Sequence, residues 1–273
     1  PNNEKLNSKS LTISAFIYPT TPKLDVEGVP VGEQAILSKW DAKKKKGYGL
    51  FINEEGEFKF KRGGARGKVS SFSSRKPLLR KVWYKVFASY DAEKGQVVIG
   101  QIPYLTATNG GHGMSMLHPR EETEVVKKYS APAISLSQNE CPLLMAASTS
   151  ETHTGRLLSG GHYDHLKEPL EVPEHTTKFN GKIERPRLSN AALGRDQIEI
   201  LLNNQRLEGI PTELRSSIIG FWDFSENISI DAASTKITDC SPNHLHGVGV
   251  NLPVRGVIGH NWSSHFMSFK HGP

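Results

Sequence analysis

Short stretches of alternating apolar and polar residues run along the first hundred positions of the chain. Leu11–Tyr18 alternates with a period of two residues and stops at Pro19. This period places successive side chains on opposite faces of a β-strand. Two later pairs of such stretches flank Glu54-Glu55-Gly56 and Asp91–Gly95, where glycine supplies the left-handed conformation that hairpin turns need. The pattern predicts antiparallel hairpins.

The remaining apolar stretches are also short and end at turn residues, which is typical of an antiparallel sandwich. One segment differs, because Ile198, Leu201 and Leu202 have the spacing of residues on one face of a helix. This spacing predicts an amphipathic helix over Asp196–Gln205. The further predicted strands are Gln34–Lys39, Tyr48–Asn53, Glu57–Lys61, Val82–Tyr90, Gln96–Ile102, Leu143–Ala147, Phe179–Arg185 and Ile218–Phe224. The fold class that follows is all-β.

Length and composition set the domain prediction. The chain has 273 residues, 36% of them hydrophobic, which is enough for a packed core. We expect one sandwich over residues 1–262, with an insertion at about 104–178 and a returning strand at about 218–224. Residues 263–273 would begin a linker to a downstream region. The chain begins at Pro1 without Met or a secretory signal, so we expect a fragment of a longer protein.

Positive charge is concentrated in one part of the sequence. Between Lys39 and Lys85 there are 15 Lys and Arg against 4 Asp and Glu, within a net charge of +6 for the whole chain. A basic stripe can attract anions, but we favour solvated loop tips such as Lys43–Lys46 and polar strand faces. We expect no aromatic residues that could stack on bases to interleave with the run, and no apolar stretch approaches the roughly 20 residues of a membrane helix. We therefore expect neither nucleic acid nor membrane as a partner.

The densest polar cluster is His162-Tyr-Asp-His165, which follows two glycines. Neutral imidazole and carboxylate are ligands that suit zinc or non-haem iron. On a strand, His162 and Asp164 would share one face and His165 the other, so all three bind one ion only if the backbone turns. We favour a polar loop and keep His162, Asp164 and His165 as candidate binding residues, with metal binding left open.

Other catalytic signatures are weak. Asp223 and Glu226 are the nearest approach to a glycosidase carboxylate pair, and their spacing does not suit one strand face. The four tryptophans, at positions 40, 83, 222 and 262, sit in or beside predicted strands, which favours core packing over sugar stacking. Cys141 and Cys240 are best interpreted as two partly buried thiols and favour a cytoplasmic location.

Several sequence segments together resemble the laminin-G-like, concanavalin-type jelly-roll domains. Leu11–Pro19, Ile36–Trp40, Gly47–Phe51 and Trp83–Asp91 are similar to early and central strands of that family, and Phe179–Leu193 is similar to its closing strand and helix. The resemblance implies an antiparallel two-sheet jelly-roll sandwich with one or two short helices and long loop insertions.

The order of these sequence segments points to one family among the jelly-roll domains. Phe221–Ser225 and Asp239–Gly247 are similar to an opening strand and turn, yet they come late and are followed by Asn251–Trp262. We infer that this segment returns to the sandwich and covers a sheet edge. The arrangement resembles the jelly-roll part of the large subunit of N,N-dimethylformamidase and its relatives.

That family hydrolyses the amide C–N bond of small N-substituted formamides with iron held by tyrosine and glutamate. The ligands belong to the region after the jelly roll, so the resemblance implies no cofactor in this segment and iron in the parent protein. Tyr163 and Glu168 match no ligand motif of the family.

The sequence therefore predicts a non-catalytic module of an amidohydrolase, serving packing and subunit assembly. Its partners would be the downstream catalytic domain and other subunits of an oligomer. The alternative is an autonomous carbohydrate-binding, lectin-like module with His162, Asp164 and the basic stripe at its rim. A stand-alone metal hydrolase centred on His162 and His165 is a third hypothesis.

Overall fold

The computed structural model describes residues 2–64, 67–104, 124–133, 135–156, 171–175, 177–224 and 236–249, with backbone alone for 150–156 and 171–175. In these described residues, two α-helices, α1 (Arg195–Asn203) and α2 (Thr212–Arg215), and two short 3-10 turns accompany the strands. The strands are β1 Leu11–Pro19, β2 Gln34–Asp41, β3 Lys46–Ile52, β4 Glu57–Gly63, β5 Val69–Pro77, β6 Tyr84–Asp91, β7 Gln96–Pro103, β8 Val125–Ser130, β9 Leu144–Met145, β10 Thr149–Arg156, β11 Glu171–His175, β12 Gly181–Ser189, β13 Ile218–Asp223, β14 Lys236–Asp239 and β15 Gly247–Val248.

Thirteen of these strands form two antiparallel sheets. The larger has the order β15-β14-β13-β12-β1-β6-β7-β8, and the smaller has the order β5-β4-β3-β2-β9. Strands β10 and β11 form a separate two-stranded ribbon. The all-β prediction is confirmed, and the architecture is a two-sheet jelly-roll sandwich with few helices. None of the described helices is long and apolar enough to cross a membrane.

The first core lies between the two sheets and follows from the alternation along each strand. On β1, Ile13 and Ile17 point into this core and are fully buried. From the smaller sheet, Leu50 and Phe60 stand opposite one another in the register of β3 and β4 and fill the same layer. The turn between these strands is closed by Gly56 at φ +80°, the left-handed position predicted for it.

A second core covers the outer face of the larger sheet. Helix α1 buries Ile198, Leu201 and Leu202, as its periodicity predicts, and packs them with Phe16 of β1 and Phe221 of β13. Because β1 has apolar neighbours on both sides, its outward residues Thr12, Ser14 and Phe16 are also buried, and only Tyr18 is half-buried. The larger sheet is therefore an internal layer, and its outer face is not a free surface at this place.

The chain returns to the larger sheet after α2. Strand β13 pairs with β12, with Phe221 opposite Arg187, and β14 and β15 extend the sheet beyond it. Trp222 is fully buried, and its indole N–H donates to the carbonyl of Leu245 at 2.8 Å. The late segment is therefore part of the sandwich, next to the strand that neighbours β1.

Candidate binding site on the outer face of the five-stranded sheet

The histidine cluster predicted as a site, His162, Asp164 and His165, lies outside the described residues, as do Tyr163 and Glu168. The described flanks are β10 and β11, which pair antiparallel with Arg156 opposite Glu171. The binding and metal roles of these residues therefore stay predictions. Within the described ranges, no group of three or more His, Cys, Asp or Glu is placed to hold a metal ion.

The buried tyrosines of this chain do not fit the tyrosine and glutamate iron centre that the resemblance implies for the parent protein. Burial raises the pKa of Tyr84 to about 12 and raises the pKa of Tyr48 as well, and the Tyr84 hydroxyl accepts from the backbone N–H of Leu79 at 3.0 Å. The Tyr48 hydroxyl donates to the carbonyl of Leu6 at 2.8 Å. We assign no iron ligand to these residues.

The outer face of the five-stranded sheet carries a charged cluster. Along β4, Phe58 and Phe60 point into the core, so Lys59 and Lys61 point outward between them. Glu33, from the loop before β2, bridges both lysines: one carboxylate oxygen pairs with Lys59, and the other lies 2.7 Å from the Lys61 ammonium. All three side chains are about four-fifths buried, at 16 to 21% exposure. They tie the loop before β2 onto the sheet.

Two aromatic rings lie beneath this cluster. The Lys61 ammonium is 4.0 Å from the ring centroid of Phe51 and 4.9 Å from that of Trp40. Phe51 is fully buried and Trp40 is 5% exposed. Cation–π contact therefore stabilises the lysine, and neither ring offers a free face for sugar stacking.

The pairing with lysine sets the charge state of Glu33. Burial alone would raise the pKa of this carboxyl, but Lys61 and Lys59 together outweigh burial and lower the pKa below its ordinary value. Glu33 is therefore ionised at neutral pH, and the cluster of Glu33, Lys59 and Lys61 carries one net positive charge.

The β3–β4 turn is held beside this cluster by side-chain hydrogen bonds. The Glu57 carboxylate accepts from the Asn53 amide at 3.0 Å and from the Ser73 hydroxyl at 2.7 Å. The Asn53 side-chain oxygen accepts from the backbone N–H of Glu57 at 2.7 Å. These contacts fix the turn to β5.

The turn and the charged cluster enclose a recess of about 280 Å³. Its size is below the roughly 300–1,000 Å³ of pockets for drug-sized ligands, so it suits a small molecule. Every lining residue is polar. From the loop and the turn come Glu33, Asn53, Glu54 and Glu55, and from β4 and β5 come Lys59, Ser71 and Ser73. We call this cavity the polar recess.

The basic stripe predicted from the sequence does not form one surface. Lys43–Lys46 are exposed in the β2–β3 turn, whereas Lys59 and Lys61 are paired with Glu33. Arg62 is fully buried, and its guanidinium donates to the Tyr90 hydroxyl at 2.9 Å and to the carbonyl of Pro132 at 3.0 Å. The favoured interpretation of loop tips and strand faces holds for Lys43–Lys46, Lys59 and Lys61, but not for the buried Lys39 and Arg62.

The other sequence candidates have separate outcomes. Trp83 and Trp222 are buried in the two cores, which confirms core packing, while Trp262 and Glu226 lie outside the described residues. Asp223 is half-buried at the end of β13. Cys141 and Cys240 are half-buried and not joined in a disulfide, as predicted.

Sequence reasoning missed the polar recess. The alternation of Glu57, Lys59 and Lys61 was a signal for a polar strand face, but Glu33 reaches that face from a different loop. Strand β5 is rich in serine, so it lacks the alternation of apolar and polar residues from which a strand can be predicted.

Comparison with known proteins finds two relatives that are similar in sequence over nearly the whole chain. No protein-family model matches the chain. It is 30% identical over 267 residues to the N,N-dimethylformamidase beta subunit of an Alcaligenes species, and 30% identical over 268 residues to that of Paracoccus aminophilus. Each match covers 97% of this chain, but the chain spans about 30% of the length of each relative.

Among solved structures, the chain is similar to a provisionally assigned carbohydrate-binding protein from Bacteroides ovatus ATCC 8483. The TM-score is 0.50 at 13% identity, and the match covers 88% of this chain and 51% of that chain. At this identity the similarity shows the shared sandwich fold.

Proposed function

We propose that this chain is the jelly-roll module of an amidohydrolase related to N,N-dimethylformamidase, and that it serves packing and subunit assembly. The observation that carries the proposal is the similarity to two beta subunits over 97% of the chain. A beta subunit is by its name one of several kinds of subunit, which supports a role within an assembly.

The contacts made by reactive side chains support a structural role. Lys39 is fully buried, and its ammonium donates to the carbonyls of Asn139 at 3.0 Å and Cys141 at 2.7 Å. Arg62 and Asp239 are likewise buried and hydrogen-bonded. Groups that could act as acid, base or electrophile are thus engaged in holding segments of the sandwich together.

The parent reaction belongs to the same proposal. By resemblance, the parent hydrolyses the C–N bond of small N-substituted formamides, with iron held in a region outside this module. The partners would be that catalytic region and further subunits. Cys141 and Cys240 form no disulfide with each other, which supports the predicted cytoplasmic location, since secreted domains tend to use disulfides.

The test compares the product of the complete reading frame with a version that lacks residues 1–249. We expect the shortened protein to lose its oligomeric state in sedimentation velocity and to release less dimethylamine from N,N-dimethylformamide. Adding the separate module should restore part of both. A shortened protein that stays assembled and active would contradict the proposal, as would a reading frame without a downstream catalytic region.

The second function, an autonomous carbohydrate-binding module, has one observation in its favour. The polar recess presents hydroxyl, amide, ammonium and carboxylate groups together at a surface of the sandwich. The rim predicted from His162 and Asp164 lies outside the described residues, so the recess is a different place for such a ligand.

A further inference from the structure

We propose that the loop between β1 and β2 carries a docking surface, through which this module contacts the remainder of its parent polypeptide. The surface consists of the exposed side chains of Leu24, Val26 and Val29, and we call it the apolar loop tip. This inference rests on the proposed function and deepens it, because it names the surface and the partner through which the module packs.

Exposed apolar side chains are concentrated in this loop. Among the described residues, six large apolar side chains are exposed, and three of them lie within the six positions from Leu24 to Val29. Val26 is 82% exposed, Val29 is 53% exposed and Leu24 is 38% exposed. The other three, at positions 69, 200 and 248, belong to three different elements. Single exposed apolar residues are common on protein surfaces, whereas a group of them indicates a contact surface.

Hydrogen bonds fix the loop in the conformation that exposes these side chains. The Asp25 carboxylate accepts from the backbone N–H groups of Glu27 and Val29, each at 2.8 Å. The backbone N–H of Asp25 donates to the carbonyl of Val29 at 2.9 Å, and Leu24 forms an antiparallel bridge with Pro30. The tip is therefore preformed, and a preformed turn loses little conformational freedom when it binds a partner.

The base of the loop is attached to both sheets of the sandwich. The side-chain amide of Gln34, at the start of β2, donates to the carbonyl of Thr21 at 2.8 Å and accepts from the backbone N–H of Asn180 at 2.8 Å. Asn180 directly precedes β12 of the larger sheet, and Glu33 pairs with two lysines of β4 in the smaller sheet. A partner that binds the tip is thus held against the whole sandwich.

The small size of the tip favours a partner on the same polypeptide over a second copy of the module. Two separate proteins generally bury about 800 Å² per partner in a stable interface, and three partly exposed aliphatic side chains provide much less. A region of the same polypeptide needs a smaller contact, because the connection raises its effective concentration. The chain spans about 30% of the length of each relative, so each relative contains such a region.

The charges beside the tip indicate the chemistry of the partner surface. Between Lys23 and Val31, the negative charges of Asp25 and Glu27 face one positive charge, that of Lys23, in a chain whose net charge is +6. Glu27 is exposed next to Val26. Because opposite charges are aligned across interfaces, we expect the partner to present an apolar recess with a basic rim.

The first experiment measures the accessibility of the tip. Val26→Cys is introduced into the product of the complete reading frame and into the separate chain, and maleimide labelling at position 26 is followed by peptide mass spectrometry. We expect labelling to be slower by about tenfold or more in the complete protein, because a docked side chain reacts only when the contact opens. Val69→Cys, at an exposed position of β5, is the control and should label at similar rates in both proteins. Equal rates for Val26→Cys in the two proteins would overturn the proposal.

A photo-crosslink identifies the partner. In the complete protein, Val26 is replaced by an aliphatic amino acid that carries a diazirine, and the irradiated protein is separated on a denaturing gel. We expect a crosslink within one polypeptide, to a peptide outside residues 1–273, without an increase in mass. A crosslinked product of higher mass would place a second polypeptide at the tip and would also overturn the proposal.

Matched variants of the complete protein test the chemistry of the contact. Val26→Asp should raise the deuterium uptake of residues 23–31 to that of the separate chain, whereas Val26→Ile should keep the protection. Glu27→Lys should weaken the protection, and Glu93→Lys in the exposed β6–β7 turn should not. Equal protection in Val26→Asp and Val26→Ile would contradict an apolar contact at the tip.

These outcomes are distinguishable from those of the proposed function. If removal of residues 1–249 abolishes assembly while position 26 labels equally fast in the complete protein and in the separate chain, the module packs through another surface and only this inference fails. If the shortened protein stays assembled and active, the proposed function fails, whatever the labelling rate at the tip.

Discussion

Glu33 attaches the loop before β2 to the outer face of the smaller sheet, because its one carboxylate pairs with two lysines of β4. Its pKa is lowered in the folded protein, since Lys61 and Lys59 outweigh the effect of burial. A carboxyl of this kind stabilises the fold above its unfolded-state pKa, and the contribution is lost as the pH falls through the folded-state pKa.

We predict that Glu33→Gln lowers the free energy of unfolding at pH 7 by about 1 kcal/mol, because the ion pairs are partly solvated. The difference from wild type should shrink as the pH falls from about 4.3, the pKa of an unperturbed glutamate, through the lower pKa of folded Glu33, below which both proteins lack the charge. Urea denaturation across this pH range measures it. Glu93→Gln, at an exposed turn, is the control, and a difference independent of pH would contradict the role of the Glu33 charge.

Arg187 on β12 is a buried cation with incomplete hydrogen bonding. One guanidinium nitrogen donates to the carbonyl of Asn204, while Nε and Nη1 have no partner among the described residues. The guanidinium stacks 4.4 Å from the ring centroid of Phe221. Burial is the main reason that its pKa is lowered to about 9; Arg185 adds to this shift and Asp223 opposes it.

We predict that Arg187→Met raises the free energy of unfolding by about 1–2 kcal/mol, because methionine fills the space without a buried charge or unpaired donors. Chemical denaturation at pH 7 checks this. Arg195→Met, at an exposed helix position, should stay within about 0.5 kcal/mol of wild type. A marked loss of stability in Arg187→Met would show that the Asn204 bond and the Phe221 contact dominate.

At the scale of elements, one buried carboxylate holds the late strands to one another. Asp239, 1% exposed, accepts from the backbone N–H groups of Phe221, Ser241 and Leu245 at 2.7 to 2.9 Å. It also accepts from the Ser241 hydroxyl at 2.8 Å. This residue therefore connects β13, β14 and the turn that follows them.

We predict that Asp239→Ala lowers the free energy of unfolding by about 3 kcal/mol, since several buried donors lose their acceptor together. Hydrogen exchange should show the loss first in β13–β15 and not in β3 or β4. The exposed Glu208→Ala serves as control. Uniform loss of protection across both sheets would contradict a local role for Asp239.

The sequence pattern correctly predicted the elements in which hydrophobic residues recur with the period of a strand or of a helix. The hydrophobic alternation of β1 and the helical spacing of Ile198, Leu201 and Leu202 gave the right element within a few residues. Strands β5 and β8 were missed because serines dominate one, and charged residues interrupt the other. Their strand geometry comes from pairing with β4 and β7, which a local pattern does not contain.

The site was less predictable than the fold for a similar reason. Lys59 and Lys61 could be placed on one strand face from the sequence, but their partner Glu33 lies 26 and 28 residues earlier. The basic run of the sequence suggested one surface, and folding distributes it over a turn, an outer face and the core. Tertiary contacts thus decide which charges meet.

At the scale of the whole molecule, two sheets and a helical layer form a sandwich whose reactive side chains hold its parts together. The similarity to dimethylformamidase beta subunits extends over nearly all of the chain and about 30% of each relative. We propose that the chemistry of the parent lies in a region outside this module, and that the module itself is a scaffold with a surface recess.

The scaffold role is tested most directly by measuring the release of dimethylamine from N,N-dimethylformamide by the purified chain alone, with and without added iron. The account predicts no release above the buffer rate under either condition. The third hypothesis, a hydrolase centred on His162 and His165, predicts the opposite once metal is supplied. Saturable release that follows the chain through purification and disappears on chelation would contradict the scaffold role.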